Sequence, residues 1–311
     1  MTTRMGLRGL WAGALLAVGA AAAAHADEAL FGYVYTTDLL PKGKYEIEQW
    51  ITDREGQAYG DFHHLHFNTE LEYGLEDNFQ VSAYLNWSYS DANANSVRHL
   101  TEGIEVPWDH DPTKPYSQAR WDGVSFEAIY RVMSPYTDPF GLAFYIEPEF
   151  GPRESGIEMR AIAQKNFLDD RLIFAGNFWV ELEHEQGSNL VPPGSTDVPS
   201  PDKEDDTMAE FDLGASYRFV PNWSVGLEFR NHNEYGGWTL DHSNQEHTAF
   251  FLGPNIHYGG ERWWFTLSAL RQIGSVAYSE DNKLEQKGSL LFGDEHAEWD
   301  GLRLKIGYTF K

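Results

Sequence analysis

Residues 302–311, LRLKIGYTFK, decide how the rest of the chain is read. Leu302, Leu304, Ile306, Tyr308 and Phe310 fall on every second position, with Arg303, Lys305, Gly307 and Thr309 between them. Successive side chains of a strand point to opposite faces, so this is a strand with one apolar and one polar face. Two aromatics close the apolar face, where a strand crossing a bilayer carries its interfacial girdle. Single alternating strands are common in water-soluble sheets; the weight of this one comes from its recurrence upstream.

Residues 78–91, NFQVSAYLNWSYSD, set Phe79, Val81, Ala83, Leu85, Trp87 and Tyr89 against Gln80, Ser82, Tyr84, Asn86 and Ser88. Leu172, Phe174, Phe178, Val180 and Leu182 oppose Asn177, Trp179 and Glu181; Leu213, Ala215 and Tyr217 oppose Asp212, Ser216 and Arg218. Twelve such segments are predicted, at about 44–53, 61–74, 78–91, 120–132, 140–150, 155–167, 171–185, 208–220, 223–235, 247–258, 262–274 and 299–310. Their lengths suit the roughly 9–11 residues of a tilted strand crossing a bilayer, with extensions into the interfaces. The connections sort by length. Those at 75–78, 134–139, 168–171, 220–222 and 259–261 are short and carry the Asp, Asn, Gly or Pro that tight turns demand. Those at 92–119, 186–207, 236–246 and 275–298 are long and polar, and brief ones at 54–60 and 151–154 fall on the same side. Short turns at one rim and long loops at the other is the layout of an outer-membrane barrel. The expected fold is all-β, a transmembrane antiparallel up-and-down barrel of about 12 strands. Its short turns and both termini are expected to be periplasmic and its long loops extracellular.

The ends and the composition agree. Residues 1–26 read as a cleaved signal peptide: Arg4 and Arg8 precede an apolar run over 9–24, and Ala24-His25-Ala26 is an A-x-A site. No later stretch approaches the ~18 apolar residues of a membrane helix, so a membrane-embedded chain must cross as a barrel. Zero cysteines exclude disulfides, thiol catalysis and cysteine-ligated metals. The net charge is −25, and −27 once Arg4 and Arg8 are removed, which argues against nucleic acid as a partner. Aromatics make up 15% of the chain while the mean hydropathy is −0.50, the combination expected when only alternate residues face lipid. Residues 27–43, DEALFGYVYTTDLLPKG, precede the barrel of residues 44–311. They are either a periplasmic lead-in or a plug folded back into the lumen.

The terminal strand resembles the final strand of bacterial outer-membrane barrels, although Lys311 follows Phe310 where such chains usually stop on the aromatic. From YVYTTDLLPKG at 33–43 to YTF at 308–310, the chain resembles a family of uncharacterised proteobacterial, porin-like outer-membrane barrels. The resemblance implies a place in the cell outer membrane, among its lipid and lipopolysaccharide. It also implies recognition of the C-terminal strand by the barrel-assembly machinery. It brings no reaction and no catalytic residues.

With the apolar residues facing lipid, the alternate positions face the lumen. They carry Glu46, Glu48, Glu70, Glu72, Glu127, Glu147, Glu149, Glu158, Glu181, Glu183, Glu210, Asp212 and Glu228, against Lys44, Arg131, Arg160, Arg218, Arg230, Arg303 and Lys305. That is 13 carboxylates against seven basic groups. Charges at the bilayer midplane cost several kcal/mol, so their phase supports the strand assignment independently. One reading is a porin-like channel for small solutes, modestly cation-preferring. The other is a non-conducting structural or surface-binding barrel whose Glu–Arg pairs fill the lumen.

Enzymatic and metal readings are weaker. His184, Glu185 and Ser188, and Asp241, His242 and Ser243, faintly resemble the Ser–His arrangement of outer-membrane lipid hydrolases, but neither has the spacing that puts His and Ser on one strand face. No catalytic residue is therefore expected. His64 and His66 share a strand face and are the one two-ligand metal candidate, read more simply as polar residues near the loop rim. The acidic stretches 197–206 and 108–111 lack the order of a dedicated calcium loop. No phosphate-cradling glycine loop is present, and no cofactor is expected. The oligomeric state is left open.

Overall fold

The computed structural model describes residues 29–107, 110–185, 204–293 and 296–310. All twelve strands expected from alternation are present: β1 Tyr45–Glu55, β2 Asp61–Glu76, β3 Phe79–Asn93, β4 Tyr116–Met133, β5 Gly141–Phe150, β6 Glu154–Phe167, β7 Leu172–Glu185, β8 Glu204–Val220, β9 Trp223–Gly236, β10 Gln245–Gly259, β11 Trp263–Ala277 and, last, β14 Trp299–Thr309. Between β11 and β14 lie a short helix, Glu280–Glu285, and a two-stranded ribbon, β12 Gln286–Lys287 with β13 Leu290–Leu291. Each barrel strand pairs antiparallel with its neighbours in sequence, and β1 pairs with β14 from Glu46↔Thr309 to Glu55↔Trp299, which closes the sheet. Closure leaves no unpaired strand edge, the condition for a sheet to cross lipid. β4 and β8 begin at Tyr116 and Glu204, about four residues before the apolar alternation does. There the ladder runs on past the apolar belt, where an outer face that meets water need not be apolar.

The outer face matches the lipid reading. Leu71, Leu85, Phe126, Phe144, Phe178, Leu213, Leu227 and Leu302 point outward and are exposed. A soluble monomer rarely exposes so continuous an apolar surface. Aromatics ring the short-turn rim in contact pairs: Tyr45 with Tyr73 (4.4 Å between centroids), Trp223 with Tyr258 (5.0 Å) and Trp263 with Tyr308 (4.6 Å). Near the loop rim Trp87 meets Trp121 at 4.7 Å. These are the two girdles of a membrane barrel.

The inside is occupied. Residues 29–43 lie within the barrel, and among the described residues they join no sheet. Gly43 N–H donates to Gly74 O (2.7 Å) at the short-turn rim, and from there the segment arches through the lumen. Side chains of the wall satisfy its backbone. Gln80 accepts from Leu40 N–H (2.8 Å), Gln164 from Thr37 N–H (2.7 Å), and Arg131 donates to Thr37 O (3.0 Å). Asn177 both accepts from Tyr35 N–H (2.6 Å) and donates to Tyr35 O (2.9 Å). Glu228 accepts from Gly32 N–H (2.9 Å) and Tyr33 N–H (2.8 Å). Finally Thr266, three residues in from the short-turn end of β11, donates to Ala29 O.

Apolar contacts seat the same segment. Leu39 packs with Ile129, Ala143, Tyr145 and Ile162; Tyr33 packs with Ala249, Phe251 and Leu270; Phe31 and Val34 pack with Ala175. Gly214 makes room for Phe31, since a Cβ there would sit 2.7 Å from Phe31 Cε1. Gly214→Leu is therefore expected to unseat the segment. Because the chain has no cysteine, Thr36→Cys gives a single reporter. Its maleimide labelling should be slow in an otherwise unaltered chain and fast when Gly214→Leu is added; equal rates would mean that Phe31 does not hold the segment.

The loop rim is covered too. Ile104 from the β3–β4 connection and Ala297 from the β11–β14 connection pack with Phe62, Ala92 and Tyr116. Gln57 donates to Gly293 O (2.7 Å) and His296 O (2.9 Å), and Arg98 lies 3.6 Å from Glu285, which joins the two connections.

Candidate functional site in the lumen

The site is built where strand periodicity turns polar side chains inward, each held by its register in the ladder. Glu70, Glu72, Glu127, Glu147, Glu158, Arg160, Glu210, Asp212, Glu228, Arg230 and Lys305 are buried in the barrel, whereas Arg131, Glu149, Glu181, Glu183, Arg218 and Arg303 are half-buried on the same strand faces. Their partners are more specific than a pore lining requires. Arg160 meets Glu158 at 2.8 Å and Asp212 at 3.7 Å, and Trp179 Nε1 donates to Asp212 at 3.2 Å. Arg230 meets Glu210 at 2.5 Å and Asp300 at 3.4 Å.

The basic groups also clasp the arch. The Arg303 guanidinium lies 3.7 Å from the Tyr33 ring centroid and that of Arg230 lies 4.4 Å from it, while Arg160 lies 4.5 Å from the Tyr35 ring. Such cation–ring contacts gain strength where water is excluded. Lys305 sits 3.5 Å from the Trp50 ring. Tyr33, Tyr35 and Gln164 are site residues that alternation alone did not single out, and Asn177 was placed on the polar face without a role. The signal was the apolar FGYVY at 31–35 together with small residues on lumen-facing positions.

Between the arch and the wall remains a cavity of ≈ 40 Å³ that Tyr35, Glu48, Trp50, Glu72, Tyr84 and Glu127 help to line. It has room for about three waters. Tyr84 donates to Glu127 at 2.7 Å there, and Glu70 faces Glu48 in the β1–β2 register. Toward the loop rim, Glu147, Glu158 and Glu181 stand in one row across β5, β6 and β7, with Glu149 and Glu183 a step above on either side of Gly156. Like charges in a cross-strand row repel, and Arg160 offsets that at its Glu158 member.

The other candidates fall apart or take other roles. His64 and His66 share a face with ring centroids 6.4 Å apart, and His64 Nδ1 is engaged with Ser90 Oγ (2.9 Å). Among the described residues no group of three ligating side chains includes either. His184 Nδ1 lies 2.5 Å from Asp205, and Ser188 lies outside the described residues. Asp241 caps a single turn by accepting from Ser243 N–H, and His242 turns to Gln245 (2.8 Å). Asp111 is taken by Lys114 (2.8 Å), whose hydrogen bond helps hold its carboxyl well below the usual range; Trp108 and Asp109, and residues 197–203, lie outside the described residues.

Fold and lumen together define a membrane-spanning β-barrel of the outer-membrane class. The chain belongs to the family of unknown function DUF6662, whose profile matches residues 23–310. No protein of curated function matches it by sequence. Among solved structures it is similar to an outer-membrane channel from Pseudomonas putida F1, with a TM-score of 0.55 and 9% identity over 88% of this chain and 97% of that one. It is also similar to the translocator domain of the autotransporter NalP from Neisseria meningitidis, with a TM-score of 0.50 and 12% identity over 88% and 91%. At such identities the likeness is one of fold alone.

Proposed function

We propose that the protein is an outer-membrane channel that stands closed at rest, with residues 29–43 as its removable part, and that it passes small solutes with a modest preference for cations once opened. One observation carries this reading: an extended segment is held in the lumen by side chains, without strand pairing, and the cavity beside it at Tyr35, Trp50 and Tyr84 is ≈ 40 Å³. Hydrogen bonds to side chains exchange with water more readily than a ladder does, so such a segment is suited to leave and return. The 13 carboxylates against seven basic groups support the preference, which salt should weaken because the Debye length is about 8 Å at physiological ionic strength.

With the segment displaced, the reversal potential under a KCl gradient should show cation preference, and neutralising Glu147, Glu149, Glu181 and Glu183 together should reduce it. Clear anion preference would sink the assignment of these carboxylates to the conducting path. The non-conducting barrel is the second reading, favoured by the Arg160–Glu158 and Arg230–Glu210 pairs. Silence in every variant would establish it. The lipid-hydrolase reading finds little at its own candidates: Ser188 lies outside the described residues, and His242 Nδ1 is engaged with Gln245 at 2.8 Å.

β7 and β8 reach the long-loop rim at Glu185 and Glu204. The proposed orientation makes the connection between them extracellular, so an epitope inserted at Gly194 should bind antibody on intact cells. Binding only after permeabilisation would reverse the orientation.

A further inference from the structure

The loop end of the lumen holds a cluster that includes no residue of the arch. His232 on β9, His247 on β10 and His296, just ahead of β14, are all buried, and each offers a ring nitrogen within 4.8 Å of the other two. His247 Nε2 and His296 Nε2 are 3.0 Å apart. The δ-nitrogens turn outward, each toward a different carboxylate. His232 Nδ1 lies 3.0 Å from Glu210 Oε2, His247 Nδ1 3.8 Å from Glu234 Oε2, and His296 Nδ1 3.9 Å from Asp300 Oδ1. His232 Nε2 is buried and has no hydrogen-bond partner.

We propose that His232, His247 and His296 bind one divalent first-row transition-metal ion through their ε-nitrogens. Three imidazoles are a donor set for zinc, copper, nickel or cobalt rather than for calcium or magnesium. Tetrahedral bonds of about 2.0–2.1 Å place two ligand nitrogens about 3.3 Å apart, so His247 and His296 need part by only a few tenths of an ångström, and His232, with a nitrogen within 4.8 Å of both, turns inward to complete the set. Outer carboxylates orient metal-bound histidines and raise their basicity; Glu210 is at hydrogen-bond distance from His232, and Glu234 and Asp300 lie within 4 Å of the other two δ-nitrogens. The surrounding charges also favour a cation. Glu210, Glu234 and Asp300 face Arg230, which bonds Glu210 and Asp300, and Arg54, 3.9 Å from Asp300. An N–H···N bond between His247 and His296 would explain their 3.0 Å approach, but not the burial of an unbonded His232 nitrogen beside them.

The site joins two wall strands to a connection. An ion held there ties the β11–β14 connection to β9 and β10, at the rim opposite the one where the arch enters.

The test uses the full mature chain without a histidine tag, folded in detergent and stripped with chelator. Titration with Co²⁺ should give the intense visible absorption of a tetrahedral site, saturating at one ion per chain, and Zn²⁺ should displace it. His296→Ala and His232→Ala should each weaken binding by more than about a hundredfold, since loss of outer partners alone costs 10–100-fold. His63→Ala, at the exposed Asp53–Glu55–His63 group, should leave binding unchanged. Folding of every variant is read from heat-modifiable gel migration. If folded, unsubstituted protein gives no tetrahedral band, or if binding survives both lumen substitutions, the site does not exist. The unsubstituted chain decides the first point even if a variant fails to fold.

Discussion

In a planar bilayer the intact protein is expected to conduct little or nothing, and deletion of residues 30–40 is expected to raise single-channel conductance about tenfold or more. The reason is geometric. Twelve strands about 4.8 Å apart and tilted by about 40° enclose a cylinder some 24 Å across between backbones. Wall side chains narrow it from both sides, and an extended peptide with its own side chains takes what is left. A graded series separates opening from damage. Glu228 accepts N–H groups of two consecutive residues, Gly32 and Tyr33, and bonds to a charged acceptor are worth about 1.5–3 kcal/mol each. Glu228→Ala should therefore flicker open, and Glu228→Gln, which keeps one acceptor, should open less. A silent deletion variant that migrates as a folded barrel would assign the protein to the filled, non-conducting class. High conductance from the intact chain would mean that the arch does not seal.

The second large effect concerns stability. Arg230 is buried between Glu210 and Asp300 and stacks on Tyr33. Arg230→Met fills similar volume but leaves Glu210 buried without its arginine and Asp300 with Arg54 alone, at 3.9 Å, a loss expected to cost about 3–5 kcal/mol. Arg271, by contrast, pairs with Glu298 on the exposed side of the wall, 2.5 Å away. Arg271→Met should cost no more than about 1 kcal/mol, because exposed pairs are weak. Urea unfolding of the two variants in the same detergent compares them directly. Equal shifts would mean that the Arg230 network is hydrated and that the lumen is wetter than its packing implies.

The strands were legible because the membrane enforces alternation: Leu302, Leu304 and Ile306 must face lipid, which leaves Arg303 and Lys305 no place but inside. The same rule reports only which face a residue is on. It cannot say that Arg303 crosses to Tyr33, or that Phe251 packs with the same ring, because those partners are set by the width of the lumen. Phase places His232 and His247 near the loop end of one hairpin, and the ladder pairs Ala249 with His232. Their companion His296 sits in a connection, where no period applies. The strand starts at Tyr116 and Glu204 were missed for a related reason, since past the bilayer the outer face carries no apolar alternation.

Both ends of the arch lie at the short-turn rim, Gly43 against Gly74 and Ala29 near the start of β11. With cleavage expected after Ala26, Ala29 is the third residue of the mature chain, so the N-terminal end of the arch already stands near the short-turn rim and need not cross the barrel to leave it. A pull on the arch at Ala29 loads the Thr266 contact first, then Glu228, then Asn177 and Gln164, breaking them in series. Contacts peeled one after another yield to far less force than the same contacts sheared together. From the short-turn side the arch is a zipper, and it resists best when pushed from the other.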